Sequence, residues 1–130
     1  MLKKIMAAAL SALTVISLCA VTVSASRDDS GWVFKVTEDV HETEYRSKDN
    51  TSCIYINMTS GASLYAAPYG SHTLKSGVQA GSTQFVPNYQ PTHIYNYVKE
   101  NGYAYAALEL TRTGGRYEAT GVWSPDSGVF

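Results

Sequence analysis

Two glycine turns in the last third of the chain constrain its fold more than any other feature. Asn101-Gly102 and Gly114-Gly115 each stand between runs of β-forming residues. Both pairs tolerate the positive φ that a tight hairpin turn needs. They predict a three-stranded antiparallel meander within residues 94–123, built from Ile94–Lys99, Tyr103–Arg112 and Arg116–Trp123. A short helix over Ile94–Glu100 competes locally, because Ile94, Tyr97 and Val98 also fit helical spacing. Two-residue loops fix the register, pairing Glu100 with Tyr103 and Thr113 with Arg116. One face then collects Tyr95, Tyr97, Ala104, Ala106, Leu108, Leu110, Tyr117, Ala119, Gly121 and Trp123. It is uncharged and is expected to face the core, with Trp123 over Ala106. The opposite face carries Ile94, Asn96, Val98, Tyr103, Tyr105, Ala107, Glu109, Glu118, Thr120 and Val122.

The rest of the chain is punctuated in the same way. Gly31–Thr37 alternates with a period of two and sets Trp32, Phe34 and Val36 on one face. Glu38–Asn50 is dense in charge and reads as a solvated loop or arm. Ser52–Thr59 is a strand with Ile54, Ile56 and Met58 on one face. Ser63–Ala67 is a short strand ended by Pro68, and Ser82–Val86 another stopped by Pro87. The segment between them is broken by glycines and serines into turns. Beyond Trp123, Pro125 and Asp126 end the last strand and leave residues 126–130 as an exposed tail. The expected fold is all-β: a small antiparallel β-sandwich or barrel-like domain of about five to seven short strands.

The beginning of the chain addresses the compartment. Lys3 and Lys4 precede an apolar run, Ile5–Ala20, and small residues lead to Ala25 before Arg27-Asp28-Asp29. This is the layout of a secretory signal peptide, cut after Ala25. The apolar run is only marginally long enough to serve as an uncleaved anchor instead. Cys19 follows the large Leu18, which argues against a lipid-modified cysteine. The division is then a signal peptide at 1–25, a first strand and charged arm at 26–51, and a β core at 52–130. Cleavage leaves eight basic and eleven acidic residues, a net charge of −3. That balance argues against nucleic acid and against anionic membrane surfaces, which need a basic footprint. No later segment is apolar enough to span a membrane. One cysteine, Cys53, survives cleavage, so no intramolecular disulfide forms. A buried, inert thiol is favoured over an intermolecular disulfide.

The stretches "IYNYVKENGYAYAALEL" and "GVWSPDS" carry a resemblance. It rests on Val98, Glu100, Gly102, Tyr103 and the run Gly121–Ser127. In these the chain resembles small secreted β-rich proteins of Gram-positive bacteria with a near-terminal GVWSPDS motif. The resemblance covers about the last third of the chain. It implies export and a β-rich domain, and no chemistry. A looser likeness, in size, tyrosine richness and β character, is to lactococcin-type bacteriocins.

No set of residues announces catalysis. His41-Glu42-Thr43-Glu44-Tyr45 begins like a zinc-protease helix motif but has Tyr45 where the second histidine belongs. His41, His72 and His93 lie on distant loops, so surface positions are expected and no metal or cofactor is assigned. Cys53 sits in a strand pattern, away from any helix N-terminus that would favour its thiolate. Glu109 and Glu118 are offset along adjacent strands and lack the cleft an acid–base pair needs. Tyrosine is the one marked bias, with ten in the chain. Tyr103 and Tyr105, side by side on the outer face, are the candidate binding residues if that face is solvated; if Ile94, Val98 and Val122 draw a second sheet over it they become core, the commoner fate of such aromatics. The expected function is that of a small exported, non-enzymatic protein that binds an extracellular or cell-wall partner, a peptide or itself. A bacteriocin-like secreted effector is the alternative, and a small secreted hydrolase is less favoured.

Overall fold

A computed structural model describes residues 27–130, which form an all-β fold of ten short strands in two sheets. The expected signal peptide at 1–25 lies outside the described residues. The strands are β1 (Ser30–Phe34), β2 (Val40–Glu42), β3 (Arg46–Ser47), β4 (Ile54–Ser60) and β5 (Leu64–Ser71). They continue with β6 (Val78–Gln79), β7 (Gln84–Val86), β8 (Thr92–Ile94), β9 (Tyr105–Arg112) and β10 (Ala119–Ser124). The first sheet has the order β1-β10-β4-β8. The second is centred on the β5–β9 pair, with β2 and β3 along the free edge of β9 and β6 and β7 along that of β5. All pairings between named strands are antiparallel.

Alternation on each sheet supplies one shared core. Trp32 and Phe34, Ile54, Ile56 and Met58, Ile94, Ala119 and Trp123 come from the first sheet. Leu64 and Ala66, Val86, Ala106, Leu108 and Leu110 come from the second. Trp123 and Ala106 thus meet the same core as expected, but from opposite sheets. Gly121 makes room for the other tryptophan. A Cβ there would stand 2.6 Å from the Trp32 ring, and the β10 register slips between Thr120 and Gly121.

The expected meander does not form. β9 pairs with β5 and β10 with β4 and β1, so 113–118 is a crossover between sheets and not a hairpin loop. Arg112 fastens this crossover. Its guanidinium donates to the carbonyls of Tyr117 (2.7 Å), Lys35 (2.6 Å) and Glu38 (3.2 Å) and lies 4.1 Å from the Phe34 ring centroid. Arg112→Met is expected to cost about 1–3 kcal/mol, from lost charge-assisted hydrogen bonds and the cation–π contact. Equilibrium urea unfolding measures this.

The first turn pair fails for a different reason. β8 ends at Ile94, and residues 95–104 form neither a strand nor a helix. Asn101 N–H bonds the Tyr97 carbonyl, closing one helical turn. Gly102, at φ 84°, then ends it, with its N–H on Lys99 and that of Tyr103 on Val98. This is the glycine stop of a helix, which demands the same positive φ as a hairpin. The face assignment over 94–98 is therefore reversed. Ile94 and Val98 are buried, while Tyr95, Tyr97 and Tyr117, expected in the core, are exposed.

Three further expectations are corrected. The charged arm contains β2 and β3 and buries Thr43, Tyr45 and Lys48. Thr43 Oγ1 accepts from Leu108 N–H at 2.9 Å, so a side chain bridges the gap between these two strands. Pro68 does not end its strand, because β5 runs on to Ser71. A residue's N and C=O point to the same strand edge. The Pro68 carbonyl accepts from Ala80 N–H, so its ring nitrogen faces the gap between β6 and β7, and the β9 ladder loses nothing. Val36, expected beside Trp32 and Phe34, lies beyond β1 and is exposed.

Candidate functional site

The segment after β10 is tied into the fold by a buried ion pair. Pro125 stops the ladder and Asp126 turns inward, fully buried. Its carboxylate accepts from Lys48 Nζ (2.8 Å), Asp49 N–H (2.7 Å), and more distantly Asn50 N–H and Ser52 Oγ (3.4 Å each). Lys48 Nζ also donates to the carbonyls of Ser52 (2.6 Å) and Pro125 (2.8 Å). Neither side chain reaches solvent. Burial pushes the Lys48 amine below the usual lysine range, opposed by the hydrogen bond and charge of Asp126. Such a pair persists where hydrogen bonds replace the water each ion has lost.

This latch orders the last residues of the chain. Ser127 N–H bonds the Cys53 carbonyl at 3.0 Å, and Cys53 N–H bonds that of Val129 at 2.7 Å. The expected free tail is therefore held against the start of β4. Its last side chain, Phe130, borders a cleft of about 450 Å3 with Thr51, Cys53, Tyr95, Asn96, Tyr97 and Glu100. Phe130 is 76% exposed, Tyr95 69% and Tyr97 59%, which makes them three of the most exposed large rings in the described residues.

Burial alternates along this segment: Ile94, Asn96 and Val98 are buried, while Tyr95 and Tyr97 are exposed. Asn96 can occupy a buried position because its amide is fully engaged. It donates to the Ser52 and Ile94 carbonyls and accepts from Val98 N–H. The backbone beneath the rings is pinned as well. Gln84 bonds both the N–H and the carbonyl of Tyr95, at 3.0 and 2.9 Å, and Tyr97 N–H bonds the Ala80 carbonyl at 2.7 Å. Two exposed rings thus stand on fixed backbone, a preorganised contact surface. Cys53 forms a wall of the cleft, 4% exposed. Burial pushes its thiol above the usual cysteine range, opposed by the charge of Lys48.

The residues singled out in the sequence lie elsewhere. Tyr103 is half-buried, packed over Gly70, with its ring centroid 4.8 Å from that of His72. It borders a separate, shallower cleft of about 360 Å3 with Ser71, Ser76 and Val78. Tyr105 is half-buried at the start of β9, opposite Ser47 and Ser71. The three histidines have different neighbours: His41 bonds Glu38 at 2.9 Å, His93 faces Tyr55 and His72 faces Tyr103. Among the described residues no group of three or more potential ligands could hold a metal ion. Glu109 stands opposite Glu42 and Ala67, and Glu118, expected on an adjacent strand, is exposed on the crossover. Among these residues no helix is long and apolar enough to cross a membrane.

The aromatic trio escaped sequence reasoning. Ile-Tyr-Asn-Tyr-Val offers an apolar face either way, and distant contacts, the pairing of Ile94 with Ile54 among them, decide which turns inward. No curated protein and no solved structure matches the chain. One family does match, over residues 19–127, a span that takes in the Lys48–Asp126 latch, Tyr95 and Tyr97. On that extent of agreement the chain belongs to the family described as "Protein of unknown function (DUF2712)".

Proposed function

We propose that this is a small exported, non-enzymatic binding protein whose contact surface is the cleft of Tyr95, Tyr97 and Phe130. The observation that carries the proposal is the exposure of three large rings around one cleft, on backbone held by Gln84, Ala80 and the latch. Exposed aromatics grouped on rigid backbone mark interaction surfaces. The chemistry of the lining agrees. It offers ring faces and a buried thiol, and its one side-chain carboxylate, Glu100, has no basic side chain beside it in the lining to form an acid–base pair.

The cell surface is the first partner to test. The protein comprising residues 26–130 is incubated with purified Gram-positive cell wall and the retained fraction measured. Tyr95→Ala/Tyr97→Ala should weaken retention by about thirtyfold, equivalent to about 2 kcal/mol for an aromatic hot spot. Tyr103→Ala/Tyr105→Ala should leave it within about twofold, since neither residue lines this cleft. Equal retention of the wild type and the first variant would remove the cell wall as the partner of this cleft.

A further inference from the structure

We infer that the cleft of Tyr95, Tyr97 and Phe130 receives a cationic side chain, a lysine or arginine presented by a peptide. The inference rests on the binding role proposed above and adds the chemistry of the occupant. Aromatic rings attract a cation to their faces through the ring quadrupole. Three exposed rings border the cleft, and Glu100 is the one formally charged side chain among its lining residues. A lysine or arginine matches both features: an aliphatic stem lies along the rings and the charged head meets the carboxylate.

The polar groups of the cleft disfavour a sugar. A saccharide needs many directed hydrogen bonds for its hydroxyls. Asn96 is the only side-chain amide in the lining, and the Ser52, Ile94 and Val98 backbone groups already engage it. Thr51, the tyrosine hydroxyls and Glu100 remain. The long-range field points the same way. Residues 26–130 carry eight basic and eleven acidic side chains, a net charge of −3 that draws cations toward the protein. The nearby Lys48 ammonium is buried on Asp126 and meets the Glu100 charge through space, without lining the cleft.

The test is an amide NMR titration of the 26–130 protein with three probes: Ac-Gly-Lys-Gly-NH2, its norleucine counterpart, and a tetramer of N-acetylglucosamine. The lysine peptide should shift the amides of Tyr95, Tyr97 and Glu100 saturably, and the norleucine peptide should bind at least about tenfold more weakly. Glu100→Gln should weaken the lysine peptide about tenfold and flatten its salt dependence, while Glu100→Asp restores part of both. Glu100 is exposed, and an unchanged spectrum of the variant outside the cleft confirms its fold. Equal binding of the norleucine peptide, no effect of Glu100→Gln, saturation by the tetramer alone, or no shift with any probe would each overturn the inference. The two proposals fail separately. Wall retention that depends on Tyr95 and Tyr97 but not on Glu100 sinks only the cationic occupant. Lysine-peptide binding without tyrosine-dependent retention sinks only the cell-wall role.

Discussion

Asp126→Ala is expected to lower the unfolding free energy by about 3–5 kcal/mol, because it leaves the Lys48 ammonium buried without its counter-ion. The ammonium keeps only the Ser52 and Pro125 carbonyls, and the Asp49 N–H, formerly 2.7 Å from the carboxylate, loses its acceptor. Asp126→Asn retains an oxygen for these donors and should cost less, about 2 kcal/mol. Replacing both ions, as Lys48→Met with Asp126→Leu, removes the unpaired charge. It should recover part of the loss and not all of it, since the backbone groups they satisfied stay buried. Urea denaturation of the four proteins checks this order. A local consequence accompanies the global one. Hydrogen exchange at the Cys53 amide, bonded to the Val129 carbonyl, should quicken in Asp126→Ala more than at Leu108 in the middle of β9. An Asp126→Ala protein as stable as the wild type would mean that the latch does not form.

The second large effect is at Trp123. Its side chain is fully buried, and its backbone stands opposite Ile56 on one side and Ser30 on the other. Arg46 closes over it, with its guanidinium 5.6 Å from the ring centroid and donating to the Trp123 carbonyl at 3.3 Å. Trp123→Ala should cost about 3–5 kcal/mol through lost burial and the cavity it leaves. Trp123→Phe keeps most of the apolar volume and should cost less than half of that. Chemical denaturation separates the two. An unshifted unfolding midpoint for Trp123→Ala would place the ring outside the core.

Trp123 was legible in the sequence, and the reason is local. Alternation over Glu118–Trp123 sets Ala119, Gly121 and Trp123 on one face whatever strand lies beside them. The same holds for Ile54, Ile56 and Met58, all fully buried, and for Trp32 and Phe34. The all-β class follows from the same period of two. Pairing partners were not legible. Gly102 and Gly115 both adopt the positive φ that their turn pairs suggested, yet one stops a helical turn and the other sits in a crossover between sheets. Positive φ specifies a backbone angle, not which strand comes next. Pro68 misled in a similar way, because what it removes depends on which edge its nitrogen faces.

The candidate site was hidden for the same reason. The latch joins Lys48 to Asp126 across most of the described chain, inside two segments that read as solvated from their charge and turn residues alone. Tyr95 and Tyr97 turn outward in a segment fixed by distant contacts, Ile94 opposite Ile54, Gln84 on the Tyr95 backbone and Asn96 on the Ser52 carbonyl. The tyrosine excess drew attention to Tyr103 and Tyr105, which are half-buried on other parts of the fold.

The most direct measurement is an amide chemical-shift map of the 26–130 protein titrated with solubilised cell-wall fragments. Shifts centred on Thr51, Tyr95, Tyr97, Glu100 and Phe130, abolished in Tyr95→Ala/Tyr97→Ala, are the predicted result. Shifts centred on Tyr103 and Tyr105, or a spectrum that does not respond, would contradict the assignment of this cleft as the binding surface.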